Sequence, residues 1–213
     1  NSGLHTNDDD YMKYYYEFFE LNNERLSVSL AMVGDYDGLS GVPGYAMDDE
    51  IRWLVALLSD SGMRLSEAAG LITSDIHLNS KVPHIRLKPH SWRPLKTSSS
   101  ERDIPLVGAA LWAINRASEN AAGSFLFPRY CTSVECKADY ASNTLNKWLR
   151  KHLPEGCVVH SFRHSIKDRL RAVQCPSDVI DQIGGWRSVS SIGAGYGQGY
   201  GLGVINEKLK AMS

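Results

Sequence analysis

No apolar run in this 213-residue sequence approaches the roughly 20 residues that a helix needs to cross a bilayer. No basic stretch followed by an apolar core marks a secretory leader. A helical membrane protein is excluded, and a cytoplasmic location is the expectation. Cysteine is scarce as well: Cys131, Cys136, Cys157 and Cys175 are the whole set. None forms a CxxC pair, and no histidine cluster stands beside them at zinc spacing, so no metal site is expected. Reduced, buried thiols are the leading expectation, with a Cys131–Cys136 disulfide as the alternative. An excess of either charge is lacking too. The net charge is −1, from 23 Lys+Arg against 24 Asp+Glu, which excludes a uniformly basic nucleic-acid binder.

Distribution matters more than the total. Residues 1–60 carry twelve acids and three bases, a balance of −9. Residues 61–213 carry twenty bases and twelve acids, a balance of +8. Such asymmetry hints at a polyanionic partner for the basic part.

What is present reads as a mainly helical α+β domain with one small antiparallel sheet. An acidic segment and linker, residues 1–45, precedes a domain over residues 46–213. Tyr11–Val28 is predicted to be a helix, and the turn-rich stretch Gly34–Gly44 a linker. From Asp48, Ile51, Leu54, Val55 and Leu58 recur at helical spacing behind first-turn acids, and Gly62 can end that helix. Arg64–Leu71 reads as a short helix. His84–Lys88 and Arg102–Leu106 read as hairpin strands joined by a long polar loop. Leu106–Glu119, Ser142–His152, Ser161–Val173, Ser177–Ile183 and Val204–Met212 read as helices. Between the last two, glycine occupies alternate positions from Gly193 to Gly203, which predicts a pliable stretch.

Five segments carry candidate chemistry: Arg64 in SGMRLSE, Lys96 in PLKTSSSERDIPL, His160 and Arg163 in HSFRH, Trp186 in IGGWRS, and Tyr196 ten residues further on. Each has an ordinary explanation by itself. An Arg three residues before a Glu is commonly a surface pair. A lysine in a serine-rich loop is commonly solvated, and a Trp after Gly-Gly commonly packs in a core.

Taken in order, the set resembles the catalytic domain of tyrosine recombinases, the phage integrase family. SGMRLSEAAGL is similar to the family's first-arginine box. LKTSSSERDIPL is similar to its hairpin lysine motif, and HSFRHS to its HxLRH box. GGWRS stands where most members have Gly-His and some have Trp. The likeness runs from about Asp48 to Met212.

The resemblance implies transesterification of a DNA phosphodiester by a tyrosine. Arg64 and Arg163 would hold the non-bridging oxygens, to which planar guanidiniums are matched. Lys96 would protonate the leaving 5′-oxygen. His160 would serve as base or hydrogen-bond partner to the attacking phenol. Trp186 can only donate its indole N–H or pack. Glu67 would hold Arg64 in place. No cofactor or metal is implied. Tyr196 is the expected nucleophile and Tyr200 the fallback, because the family's usual spacing falls on Gly195. The Trp at position 186 and the displaced tyrosine keep two alternatives open: an inactive DNA-binding module, and a type IB topoisomerase-like strand transferase. The expected partner is double-stranded DNA, bound by a homo-tetramer, with a monomer when free and a nucleoid-associated setting. Lys88, His90, Arg93, Lys147, Lys151, Lys167, Arg169 and Arg187 are candidates for backbone contacts, which position without specifying sequence. Too few residues precede the domain to form the family's usual core-binding domain. The expectation is therefore a catalytic fragment, or a reduced member, with weak DNA affinity.

Overall fold

The computed structural model describes residues 18–21, 24–27, 50–151, 156–186 and 199–213. The linker reading at Gly34–Gly44, Tyr196, Arg187 and the glycines from Gly193 to Gly197 lie outside the described residues.

The first described element corrects an expectation. Where a helix was expected, β1 (Phe18–Leu21) and β2 (Glu24–Ser27) pair antiparallel, with Leu21 opposite Glu24. Two asparagines separate these strands in sequence. Phe-Phe favours strands, and Asn disfavours the interior of a helix.

α1 (Glu50–Ser61) is the central helix, buried from Arg52 to Ser61. It needs neighbours all round, and α3 (Gly108–Glu119), α4 (Ala138–Leu149) and α5 (Ser161–Ala172) supply them. Leu54, Leu57, Leu58, Leu71, Ile114, Phe127 and Leu145 are among the side chains of this core. Each buried Leu or Ile contributes about 1.5–3 kcal/mol relative to exposure. Gly62, at φ +66°, ends α1 as expected. The short helix α2 (Leu65–Ala69) follows directly.

The predicted hairpin forms from β4 (His84–Leu87) and β5 (Arg102–Pro105), with Ile85 opposite Ile104. A third strand, β3 (Ile76–His77), pairs with β4. Two residues give no readable alternation, so the sequence did not announce it. A second core lies under α5, α6 (Ser177–Gly184) and α7 (Leu202–Met212), where Ile166, Leu170, Ile180, Ile183, Ile205 and Leu209 meet.

Cys131 and Cys136 form a disulfide, so the reduced-thiol expectation fails for this pair. They face each other across an isolated antiparallel bridge, where the backbone itself brings the sulfurs together. Cys157 and Cys175 are free.

Among the described residues, no helix is long and apolar enough to cross a membrane, and no three His, Cys, Asp or Glu side chains gather as a metal site.

Candidate active site

Two helix ends build the site. At the start of α2, the Arg64 backbone N–H donates to Glu67 Oε2 at 2.9 Å, the reach-back of a capping box. The Arg64 side chain returns to the same carboxylate, Nη1 to Oε1, at 2.6 Å. It also donates to Ser100 Oγ at 2.9 Å. The Arg64 side chain keeps 23% exposure while that of Glu67 keeps 3%. The pair is therefore anchored at its acid end and open at its basic end.

The second end is the C-terminus of α6, where Gly-Gly-Trp closes the helix. Gly185 is left-handed at φ +61°, the Gly185 N–H donates to the Gln182 carbonyl, and the Trp186 N–H to the Asp181 carbonyl. This Schellman closure leaves the Ile183 and Gly184 carbonyls without helix partners. Arg102 Nε donates to the first at 2.8 Å, and Arg163 Nη2 to the second at 2.9 Å. Arg163 also donates to the Gly62 carbonyl, beyond the end of α1. Gly184 has a separate reason to be glycine, since a Cβ there would come within 2.0 Å of the Trp186 ring.

Arg163 is thus held by the carbonyls of two chain turns and is 5% exposed. Burial, then the charges of Arg64 and Arg102, push its pKa down to about 10, with Glu67 opposing. The guanidinium remains charged at neutral pH. Its centre lies 4.7 Å from the centroid of the Trp186 ring, and Lys167 Nζ lies 5.1 Å from the same ring.

His160 is the residue just before α5 and is exposed. Partial desolvation, then the charges of His164, Arg163, Arg64 and Lys96, hold its pKa below the ordinary imidazole value. Those neighbours also say what is gathered: Lys96, on the hairpin loop, shares one field with Arg64, His160 and Arg163. A neutral imidazole inside a cationic patch can accept a proton.

Tyr200, the fallback nucleophile, sits elsewhere. Its hydroxyl donates to Asp178 Oδ2 at 2.6 Å, and its backbone exchanges two hydrogen bonds with the Gln182 side chain. The Asp178 contact raises its phenol pKa, which opposes formation of a phenolate.

Three backbone-contact candidates are engaged inside the protein. Arg93 is 1% exposed and donates to the Glu67 and Lys88 carbonyls and to Asp75. His90 bonds the same Asp75 at 2.9 Å and stacks on Trp92. Arg169 ties three elements together, donating to Asp60 on α1, to the Ser59 carbonyl and to the Met212 carbonyl of α7. Both arginines are consumed by internal acceptors. Lys147 and Lys151 are exposed at the end of α4, and Lys88 is half-buried.

Sequence reasoning treated Arg102 only as a flank of the lysine motif and overlooked Ser100 and His164. Each lies inside a quoted motif, so the signal was there, but neither spacing nor residue type told which atoms they meet.

The arrangement defines a class: a mainly helical domain with two arginines, a histidine and a lysine gathered from three segments. A phage integrase family model matches residues 45–199, and the chain belongs to that family. Two solved structures share the fold. The Tn1549 transposon integrase, solved in complex with a circular intermediate DNA, superposes with TM-score 0.51 at 18% identity, over 65% of this chain and 51% of that one. XerA recombinase superposes with TM-score 0.50 at 14% identity, over 91% of this chain and 59% of that one. The chain therefore spans between about half and three-fifths of the length of these proteins. No curated protein matches the sequence.

Proposed function

We propose that residues 46–213 form the catalytic domain of a tyrosine-type site-specific DNA recombinase, which cleaves and rejoins strands through a 3′-phosphotyrosyl intermediate. The observation that carries the reading is the convergence of Arg64, Lys96 and Arg163 around the His160 imidazole, with Arg163 against Trp186 and, among the described residues, only Arg64 of the three cations in an ion pair with a carboxylate. The DNA bound to the Tn1549 integrase supports a duplex as partner.

In this mechanism the Tyr196 hydroxyl attacks phosphorus and passes its proton to His160. The bond from phosphorus to the 5′-oxygen breaks, and Lys96 protonates that oxygen. Charge growing on the non-bridging oxygens falls between the guanidiniums of Arg64 and Arg163, which are already oriented before the reaction. A 5′-hydroxyl from the same or another duplex reverses the steps, and four copies on two duplexes would complete an exchange. Tyr196 is preferred over Tyr200 because the Tyr200 hydroxyl is committed to Asp178.

A nicked suicide duplex tests this. The expected result is a covalent protein–DNA adduct that is lost in Tyr196→Phe and kept in Tyr200→Phe. The reverse pattern would make Tyr200 the nucleophile. Duplex binding with no adduct from the unaltered chain would return a DNA-binding module without chemistry.

A further inference from the structure

We infer that Arg102 is a positioning residue that sets both phosphate-facing arginines at once, by gripping Glu67 on one side and the end of α6 on the other. For its effect on catalysis, the inference rests on the recombinase reading above. Its geometry stands independently.

One guanidinium meets three elements. Nη2 donates to Glu67 Oε2 at 3.2 Å, Nε to the Ile183 carbonyl at 2.8 Å, and Nη1 to the Ser100 carbonyl at 2.7 Å. Each acceptor leads to the site within one step. Glu67 holds Arg64 through both side chain and backbone. Ser100 accepts from Arg64 through its hydroxyl. The carbonyl after Ile183 is that of Gly184, which accepts from Arg163. The Ser100 turn also closes the loop that carries Lys96, since the Ser100 N–H donates to the Thr97 carbonyl at 3.0 Å. A shift of Arg102 would therefore reach Arg64, Arg163 and Lys96 together.

Charge gives a second consequence. Four guanidiniums face the Glu67 carboxylate or backbone: Arg64 from the start of α2, Arg102 from β5, Arg93 from the turn after β4, and Arg163 from α5. Burial would raise the Glu67 pKa, but Arg102 and then Arg64 overcome it and hold the carboxyl below its ordinary value. Without Arg102, Arg64 is the remaining guanidinium hydrogen-bonded to the carboxylate among the described residues, with Arg93 and Arg163 acting only through charge. Arg64 is then more fully neutralised, and Glu67 takes up a proton at higher pH. The protein around Arg102 is built closely: a Cβ at Gly185 would come within 2.8 Å of Nη1. Lysine cannot reproduce the three-way fork.

The test compares Arg102→Met and Arg102→Lys with the unaltered chain on the suicide duplex, in single turnover at saturating protein, from pH 5 to 8. Duplex affinity is measured separately. The expectation for Arg102→Met is at least tenfold slower adduct formation, duplex affinity within threefold, and an acid limb moved to higher pH. In a Glu67→Gln background that displacement should vanish. Arg102→Lys should be slowed less, with its acid limb unmoved, and it carries the test if the methionine variant does not fold. The carboxyl carbon of Glu67, followed by NMR, should titrate at higher pH in Arg102→Met, and this readout needs no reaction. Variants that fold yet react within twofold of the unaltered chain would overturn the inference, as would losses confined to affinity or an unmoved Glu67 titration. If the unaltered chain forms no adduct, the recombinase reading fails and the Glu67 titration alone decides the inference.

Discussion

Two clusters in this molecule use the same residue types for opposite ends. Around Asp75, Arg93 and His90 close on a fully buried carboxylate, and Arg93 Nη1 and Nη2 also donate to the Glu67 and Lys88 carbonyls. Around Glu67, Arg64 and Arg102 share one carboxylate while Arg163, among the described residues, stands near without a carboxylate of its own. The first cluster is balanced and sealed. The second carries surplus positive charge and opens to solvent at Arg64. An arginine becomes a candidate for phosphate binding when its charge is not already spent, and that cannot be told from the letter R.

The comparison can be broken by mutation. The largest effect expected is on stability at the sealed cluster. Arg93→Ala leaves Asp75 buried beside His90 alone and should cost about 3–5 kcal/mol, read from urea unfolding. Adduct formation per folded molecule should change little. Should Arg93→Ala instead slow the reaction severely at unchanged stability, the sealed cluster would belong to the site.

At the open cluster the pattern should invert. Arg64→Ala leaves Glu67 still paired with Arg102, so unfolding should move by no more than about 1 kcal/mol, as for a partly exposed pair. Adduct formation should fall about 10²–10³-fold, the usual cost of one preorganised donor to a developing oxyanion. A loss under tenfold would remove Arg64 from the transition state.

A smaller effect sharpens the link between helix end and site. Gly185→Ala forces an L-residue into the left-handed region, at about 1–2 kcal/mol, read as a lower urea midpoint. Its Cβ would also press on Arg102. A neutral outcome would mean that the α6 closure relaxes without consequence.

The smallest effect concerns pH. The folded-state pKa of His160 lies below the unfolded value near 6.5. The unfolded chain therefore binds more protons there, and stability falls as pH drops through 6.5 toward the folded value. His160→Gln should flatten that decline between pH 7 and 5.5 in urea midpoints. An equally steep decline in the variant would place the acid sensitivity on other groups.

Much of the fold was legible. α1 showed its apolar spacing and its terminating glycine, and β4 and β5 showed their alternation between turn signals. Local pattern suffices where a whole element repeats it. β1 and β2 were misread because aromatic residues suit a helix face and a strand alike, and pairing decided between them. The two-residue strand β3 exists only because β4 lies beside it. The internal engagement of Arg93 and Arg169 was not legible because their acceptors, Asp75, Asp60 and several carbonyls, lie far along the chain or on backbone atoms. The Cys131–Cys136 pairing likewise depends on a backbone bridge that spacing alone left open.

By itself, the sequence determined the family's motif order, the helical periodicity, and the glycines that end α1 and α6, because these depend on residue type and near neighbours. The tertiary structure alone decided which cations are spent and which remain, why Gly-Gly-Trp presents two bare carbonyls to two arginines, and how Arg102 joins three elements. The reason is physical. A charge's effect is set by what surrounds it within a few ångströms, and in a folded chain those surroundings come from distant positions.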